Sequence, residues 1–359
     1  MIYQKLSEIL QQGVDNAVFS GASASYYFHN SGSLPISGNV FAGRIVKNGA
    51  FVDEHTLFDI ASLTKLFTAL ATLRLVDNGV ITLDTQVGDV VKLPACCTWN
   101  EFTFEKILSH ETGLKAWVPF FEEIEPDIRG SKKAYEIILK KVFLEDVNLL
   151  SETEAVYSDL GFIGLGEILS RILDLPLDEI IKNFVTEPLR LNNTKYFPVG
   201  SLPSGDTSVS FASTEDCPWR NRVLTGEVHD DNCWTMGGVC GHAGLFSTAA
   251  DICKFGTAWL DAINGKGIIS RKLAQKAFSR RKSDRGLGFD LKSETGSSAG
   301  NSAGSNTVGH LGFTGTSLWI DPDKNAVISL LTNRVYPTRE NSKIKEFRPR
   351  FHEAFFREL

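Results

Sequence analysis

The 359-residue chain has no long apolar run and no surplus of positive charge. Its longest uncharged run, Asn232 to Ala250, is rich in Gly, Asn, Thr and Ser and cannot form a membrane-spanning helix. A net charge of -6 leaves no basic stripe to neutralise phosphates, which excludes nucleic acid as an expected partner. We therefore expect a protein without a membrane span whose partner is a small molecule or a peptide.

A disulfide framework is also missing. Six cysteines stand at positions 96, 97, 217, 233, 240 and 253. Two of them are adjacent and long stretches of the chain contain none, so we expect reduced thiols rather than a set of disulfides. Cys233, Cys240 and His242 could hold zinc, but their spacing matches no standard zinc site and the segment is rich in glycine. We expect neither a metal nor a cofactor.

The N-terminal segment lacks the apolar core and cleavage site of a secretory signal. Residues Met1 to Leu10 instead predict an amphipathic helix that carries Lys5 and Glu8. The expected location is cytoplasmic for the chain as written, and periplasmic only if the chain is a trimmed form.

The most informative pattern is a Ser-x-x-Lys pair, Ser62 and Lys65, at the start of a predicted amphipathic helix. Apolar residues recur at three and four positions after Lys65, and Gly79 ends the helix. The two side chains should lie one turn apart on one face. A serine hydroxyl is a poor nucleophile until a base takes its proton, and a partly neutral lysine can do so. The alternative is an N-cap serine followed by a solvated lysine.

A second segment with suitable chemistry is a polar turn that contains Tyr157 and Asp159. The tyrosine phenol can accept a proton if neighbouring cations depress its pKa, and Asp159 could hold Lys65 through a charge-assisted bond. The alternative is a packed tyrosine, with Asp159 as the N-cap of the following helix.

A third segment, Val308 to Thr316, is predicted to lie on the edge of the C-terminal sheet, and glycines on a strand usually mark the close approach of a backbone or ligand. Its edge could donate one N–H to an oxyanion, with the N–H of Ser62 as the second donor. His310 in this segment could also be a core histidine without a role. Two G-x-S-x-G matches, at 296–300 and 300–304, lack the required strand-to-helix context and are interpreted as chance matches in a flexible hairpin loop.

The hydrophobic pattern places strands at both ends of the chain and helices between them. Strands are predicted over 24–28, 39–46, 287–291, 307–309, 316–320 and 326–331. Helices are predicted over 104–108, 132–143, 160–173, 177–184, 249–264 and 344–357, and a long loop over 203–226. This order indicates an α/β (α+β) fold with a discontinuous lobe and a helical insertion.

Together the segments resemble the signature motifs of the penicillin-recognising serine hydrolases, the superfamily of class C β-lactamases and low-molecular-weight penicillin-binding proteins. The S-x-x-K, Y-x-N and K/H-[ST]-G motifs correspond to Ser62-Leu63-Thr64-Lys65, Tyr157-Ser158-Asp159 and His310-Leu311-Gly312. Residues 107–114 and 241–248 are similar to two further family segments, L-L-x-H-x-S-G-L and a glycine-rich turn before a helix. All of these blocks fall in family order and span most of the chain.

The resemblance implies a β-lactamase/transpeptidase-like fold. Residues 1–66 and 246–359 would form an α/β lobe around a central antiparallel sheet, and residues 67–245 would form a mainly helical lobe. The active site would lie between the two lobes, and the reaction would need no metal or cofactor.

The resemblance also implies roles for individual residues. Ser62 would be the acylated nucleophile, Lys65 would assist its deprotonation, and Tyr157 would act as general base and acid. His310 would line the cleft and assist proton transfer or hold a substrate carboxylate.

The same resemblance assigns substrate contacts. The N–H groups of Ser62 and Phe313 would form the oxyanion hole, with Gly312 and Asp159 beside the substrate.

Three departures from the family pattern bear on specificity. Asp159 replaces the usual Asn and turns a donor and acceptor into an acceptor-only anion. Leu311 replaces Ser or Thr and removes a hydroxyl that contacts the substrate carboxylate, while His310 replaces the lysine of true class C β-lactamases. All three departures disfavour an efficient β-lactamase.

The leading interpretation is therefore a serine hydrolase acting through an acyl-enzyme, either D-alanyl-D-alanine carboxypeptidase-like or esterase-like. One alternative is a class C-type β-lactamase. Another is a catalytically weak scaffold or binding protein with the same fold. The expected substrates are D-Ala-D-Ala peptides, β-lactams or esters.

Overall fold

Helices occupy the middle of the chain, and the main sheet takes its strands from the two ends. The structure is a computed structural model that describes residues 2–30, 32–147, 154–202 and 209–359. The α-helices are α1 (Ile2–Asp15), α2 (Thr64–Asp77), α3 (Val87–Val90), α4 (Phe104–Leu108), α5 (Lys132–Leu144), α6 (Asp159–Leu173), α7 (Leu177–Ile181), α8 (Asp231–Thr235), α9 (Ala249–Ile263), α10 (Arg271–Phe278) and α11 (Ile344–Phe356). The strands are β1 (Gly21–Phe28), β2 (Ile36–Gly43), β3 (Phe58–Asp59), β4 (Lys195–Tyr196), β5 (Asp216–Cys217), β6 (Arg222–Val223), β7 (Leu245–Ser247), β8 (Asp290–Leu291), β9 (Val308–Leu311), β10 (Ser317–Asp321) and β11 (Ala326–Thr332).

The main sheet is antiparallel and has six strands in the order β2-β1-β11-β10-β9-β8. Its side chains alternate between two cores. Along β11, Val327 and Leu331 join the core that holds α2 and α9, whereas Ile328 and Leu330 join a second core with α1 and α11. The predicted α/β fold with a discontinuous antiparallel sheet is confirmed.

The helix that follows Ser62 lies inside the protein rather than on its surface. Eleven of the 14 residues of α2 are buried, so the predicted amphipathic helix is wrong. Two buried threonine hydroxyls of this helix have hydrogen-bond acceptors. The hydroxyl of Thr68 donates to the carbonyl of Gly241 at 2.8 Å, and that of Thr72 donates to the carbonyl of Thr68 at 2.8 Å. Lys65, in the first turn of this helix, therefore lies in a low-dielectric environment.

Several predicted boundaries move for local reasons. The second strand was predicted over 39–46 and spans Ile36–Gly43, because Gly43 has a φ of +75° and turns the chain out of the sheet. The strand predicted over 287–291 is reduced to β8, because Gly288, with a φ of +83°, interrupts it. The helix predicted over 177–184 continues beyond α7 as a π-helical turn, Lys182–Thr186.

Two predicted loops contain more structure than expected. Of the loop predicted over 203–226, residues 203–208 lie outside the described residues, and the remainder holds the two-stranded ladder of β5 and β6. The loop with the G-x-S-x-G matches joins β8 to β9 and is fastened to its surroundings. Ser302 donates its N–H and hydroxyl to Glu353 on α11 at 2.8 and 2.6 Å. No helix in the described ranges is long and apolar enough to cross a membrane.

The packing of α6 against Trp99 generates a stability prediction. A Cβ added at Gly164 would lie 2.2 Å from Cη2 of Trp99, whose indole is fixed by a bond to the carbonyl of Val142. Gly164→Ala should therefore lower the free energy of unfolding by about 1–3 kcal/mol, measured by urea denaturation.

Gly161→Ala on the same helix is the matched control. The nearest atom to its added Cβ lies 3.9 Å away, so alanine should stabilise the helix by up to about 1 kcal/mol. Equal stability of the two variants would contradict the packing described here.

Candidate active site

Ser62 stands in a strained turn that is held by a buried carboxylate. A 3₁₀ turn, Ala61–Leu63, joins β3 to α2, so Ser62 precedes the α-helix rather than lying in its first turn as predicted. Ala61 has a φ of +47°, an unfavourable value for a residue with a Cβ. Asp59 stabilises the turn, because Oδ1 accepts the N–H of Ala61 at 2.8 Å and Oδ2 accepts that of His229 at 2.7 Å. Sequence reasoning missed Asp59, although it lies only three residues before the serine.

Lys65 is fully buried and contacts three oxygens. Its Nζ lies 3.0 Å from Oγ of Ser62, 2.6 Å from Oδ1 of Asp159 and 3.2 Å from the carbonyl oxygen of His242. The alternative of a solvated lysine is therefore wrong. Burial lowers the pKa of Lys65, but the Asp159 carboxylate and the phenol of Tyr157 outweigh it and hold that pKa above its ordinary value. The resting lysine is an ammonium.

Tyr157 is enclosed by two cations and a histidine. Nζ of Lys65 lies 4.8 Å from the centre of its ring, the guanidinium carbon of Arg285 lies 5.1 Å away, and the ring of His110 is at 4.8 Å. Burial nevertheless raises the pKa of Tyr157, and the opposing effect of Lys65 is smaller. In the resting site the phenol therefore keeps its proton, and the role of Tyr157 as a proton acceptor stays a prediction.

His110 holds the segment that carries Tyr157. Its Nδ1 accepts the N–H of Ser158 at 3.0 Å, and its carbonyl accepts the N–H of Val156 at 3.1 Å. Burial, then the charges of Arg285 and Lys65, place the pKa of His110 well below its ordinary value, so it is a neutral acceptor. The sequence placed this histidine in a family-like segment but gave it no role.

The N-cap of α6 is Ser158, not Asp159 as the alternative interpretation had it. The hydroxyl of Ser158 accepts the N–H of Gly161 at 3.3 Å. The Asp159 carboxylate is therefore left to contact Lys65.

The segment after β9 is hydrogen-bonded to the backbone that immediately precedes Ser62. The hydroxyl of Thr314 donates to the carbonyl of Asp59 at 2.7 Å, and that of Thr316 donates to the carbonyl of Ile60 at 3.0 Å. A Cβ on Gly312 would lie 2.7 Å from the carbonyl oxygen of Ile60, so only glycine permits this approach.

Two backbone N–H groups, one before α2 and one after β9, line the cleft where these segments meet. The N–H groups of Ser62 and Phe313 make no hydrogen bond to any acceptor among the described residues. Two unpaired N–H groups that line one cleft suit an oxyanion, and the oxyanion hole of Ser62 and Phe313 stays a prediction.

His310 is buried and neutral. Its Nδ1 is hydrogen-bonded to the carbonyl of Leu311 at 2.8 Å, and its Nε2 has no partner among the described residues. Burial, then the charges of Lys65 and Arg285, lowers its pKa to about 3. His310 therefore lines the cleft beside Tyr157 but does not supply the positive charge of a lysine.

These groups open into a cleft of about 810 Å³ that also holds charged and aromatic side chains. Trp117 and Phe313 stand half exposed in its lining, at 49% and 52%. Three further aromatic residues lie near Trp117 in the chain or in space. Phe120 is buried, the ring of Phe121 lies 6.5 Å from that of Trp117, and the ring of Trp219 lies 5.2 Å from that of Phe121.

One group of side chains in the described ranges could share a metal ion, namely Asp159, Asp230 and His242, whose ligand atoms lie within 4.8 Å of one another. The ammonium of Lys65 already contacts Asp159, and Nε2 of His242 lies 3.0 Å from Oδ1 of Asp230. These pairs neutralise the carboxylates, so we assign no metal to them.

The zinc set considered from the sequence, Cys233, Cys240 and His242, is not among the groups in the described ranges whose ligand atoms all lie within 4.8 Å of one another. The thiol of Cys233 donates to the carbonyl of Ala243 at 3.3 Å, and that of Cys240 contacts the sulfur of Met236 at 3.7 Å. The absence of a metal stays a prediction.

An antiparallel sheet whose strand β9 leads to a segment bonded beside a buried Ser-x-x-Lys pair is typical of the class of penicillin-recognising serine hydrolases. The model of the Beta-lactamase family matches residues 11–348, and the chain belongs to this family.

The curated relatives of the chain include an amidase and a carboxypeptidase. The chain is 30% identical over 339 residues to N-acetylmuramyl-L-alanine amidase of Bacillus subtilis, covering 84% of this chain and 74% of the relative. It is 30% identical over 325 residues to a protein named as a D-alanyl-D-alanine carboxypeptidase of Salmonella heidelberg, covering 81% and 72%.

Among solved structures, the D-amino acid amidase from Ochrobactrum anthropi is similar in fold. Its TM-score is 0.73 at 20% identity, over 99% of each chain. The resemblance to β-lactamases and penicillin-binding proteins is therefore confirmed.

The Lys65–Asp159 contact generates a prediction on pH dependence. Because the Asp159 carboxylate raises the pKa of Lys65, Asp159→Asn should lower that pKa and increase the neutral amine at pH 7. The acid limb of p-nitrophenyl acetate hydrolysis should move to lower pH by roughly one to three units.

Asp15→Asn, on the exposed side of α1, makes the same change in net charge and should leave the profile unmoved. An unchanged acid limb in Asp159→Asn would rule out control of Lys65 by Asp159.

Proposed function

We propose that the protein is a serine hydrolase that forms an acyl-enzyme on Ser62, with D-alanyl-D-alanine carboxypeptidase-like or esterase-like specificity. The observation that carries this proposal is the 3.0 Å contact between Lys65 Nζ and Ser62 Oγ, at a cleft that also holds the unpaired N–H groups of Ser62 and Phe313. A nucleophile, an amine that can take its proton once it has lost its own, and donors for an oxyanion therefore lie at the same cleft.

Acylation begins when the Lys65–Tyr157 pair has lost one proton. The deprotonated member of the pair takes the proton of Ser62, and Oγ attacks the substrate carbonyl carbon. The N–H groups of Ser62 and Phe313 donate to the oxygen, which becomes negative in the tetrahedral intermediate. The proton passes through Tyr157 to the leaving amine or alkoxide, and the bond to the leaving group breaks.

Deacylation reverses these roles with water as the nucleophile. The Lys65–Tyr157 pair accepts a proton from the water, which attacks the acyl carbon, and Ser62 regains its proton as the acid product leaves. Both half-reactions need the same pair in its deprotonated form, so both should accelerate as the pH rises through the pKa of the pair.

The substitutions at two motif positions remove contacts that an efficient β-lactamase would make to its substrate. Asp159 is an acceptor-only group engaged by Lys65, so it cannot donate to a substrate amide oxygen as asparagine does. Leu311 has no hydroxyl with which to bind the carboxylate of a β-lactam. The names of the curated relatives, an amidase and a carboxypeptidase, also favour a peptidase or a related hydrolase over a β-lactamase.

The proposal predicts covalent labelling of Ser62 by a fluorescent penicillin, with an adduct that persists for minutes or longer because deacylation is slow. Peptide mass mapping should place the adduct on Ser62, and Ser62→Ala should abolish it. Ser298→Ala, in a G-x-S-x-G match, is the serine control and should label normally, since only its carbonyl is engaged, by His352.

Three results would contradict this assignment. An adduct that clears within seconds would identify a working β-lactamase. An adduct on Ser298 would identify the wrong nucleophile. Stable labelling of Ser62 without turnover of any p-nitrophenyl ester or D-Ala-D-Ala peptide would identify a binding protein that kept the fold.

A further inference from the structure

His242 contacts the catalytic lysine with its backbone and a second acid with its ring. Its carbonyl oxygen accepts from Nζ of Lys65 at 3.2 Å, and its Nε2 lies 3.0 Å from Oδ1 of Asp230. The ring is 1% exposed and lies in the glycine-rich turn that leads into β7. The mechanism described above uses neither His242 nor Asp230.

Asp230 is fixed in position and faces the cleft. It is the N-cap of α8, since Oδ1 also accepts the N–H of Cys233 at 2.7 Å. Its side chain remains 24% exposed and lines the same cleft as Ser62. A carboxylate with an aqueous face and an N-cap bond stays ionised, so this part of the site always holds a second negative charge.

The negative charges near Lys65 require a second cation. Asp159 and Asp230 lie within one cluster with His242, and Lys65 pairs with only one of these two carboxylates. His310, at the motif position where the family can carry lysine, is neutral. Arg285 is paired with Asp290. Within the described ranges, the one salt-bridge partner of Asp230 is the ring of His242.

We propose that His242 is a positioning residue of this site: its imidazolium, held by Asp230, balances the second carboxylate and so leaves Lys65 able to release its proton. The inference rests on the proposed function, because Lys65 takes part in the proposed proton transfer. Without the imidazolium, Asp159 and Asp230 would both attract the same ammonium and hold its proton in place.

The electrostatic surroundings of His242 agree with this role. Burial lowers the pKa of His242, but the Asp230 carboxylate outweighs burial and raises that pKa to about 10. The charged and titratable groups that face the ring are Asp230, Cys240, Asp159 and, through the carbonyl, Lys65. The folded protein should therefore keep His242 protonated throughout the physiological range.

A charge-removal pair tests the proposal through kinetics. His242→Gln leaves Asp230 unbalanced, so the pKa of Lys65 should rise and the acid limb of p-nitrophenyl acetate hydrolysis should move up by about one pH unit. The double variant Asp230→Asn/His242→Gln removes both charges and should bring the limb back close to that of the unsubstituted protein. His55→Gln, at an exposed histidine, is the control and should change nothing.

The pattern distinguishes charge from packing. A purely structural role would lower the rate at every pH in both variants and leave the position of the limb unchanged. An unmoved limb in His242→Gln, or a double variant shifted as far as the single one, would overturn the proposal. Circular dichroism and thermal unfolding establish that each variant is folded.

A substrate-free measurement separates failure of this inference from failure of the proposed function. In ¹⁵N-histidine-labelled protein, the His242 ring should show two protonated nitrogens from pH 6 to 9, with the signal assigned by its loss in His242→Gln. In Asp230→Asn, burial prevails and the ring should be neutral at pH 7. A neutral His242 at pH 7 in the unsubstituted protein would overturn the inference even if Ser62 is acylated.

Discussion

The buried contact between Lys65 and Asp159 is the interaction on which the site depends. A lysine without solvent exposure is stable only with a close anionic or hydrogen-bonding partner, and removal of one member leaves a charge uncompensated. The contact links α2 to the start of α6, two segments almost a hundred residues apart. It also sets the protonation state from which the proposed chemistry starts, with an ammonium and a neutral phenol rather than a ready base.

Around this contact, each segment of the site is held by a polar side chain bonded to the backbone of another segment. Asp59 joins the turn that carries Ser62 to the backbone of His229, and His110 holds the loop that carries Tyr157. Thr314 and Thr316 bond the segment after β9 to the backbone just before Ser62. Such bonds order the backbone without occupying the cleft. Geometry of this kind is needed for catalysis, because a misplacement of about 1 Å can remove much of the rate.

The sequence predicted the parts of the site that lie in short motifs, and it predicted the strands and helices well enough to define the fold. It did not identify Asp59, Asp230 or the role of His110, because their importance arises from contacts across long sequence separations. The burial of α2 was also missed, since threonines such as Thr68 look solvent-facing in a periodic pattern but donate to backbone carbonyls in the core. A motif can be recognised from neighbouring residues alone. The balance of charges in the site depends on contacts between residues that are far apart in the sequence, so it is visible only in the folded chain.

The most direct test of this account is the protonation state of Lys65 itself. In protein labelled with ¹³C and ¹⁵N lysine, the side-chain resonance of Lys65 can be followed against pH without any substrate and assigned by its loss in Lys65→Arg. Lys65 should be an ammonium at pH 7 and should titrate above the ordinary lysine range, because Asp159 and Tyr157 outweigh burial. A Lys65 that is already neutral at pH 7 would contradict it, since the amine would then be a ready base and the contact with Asp159 would not control the site.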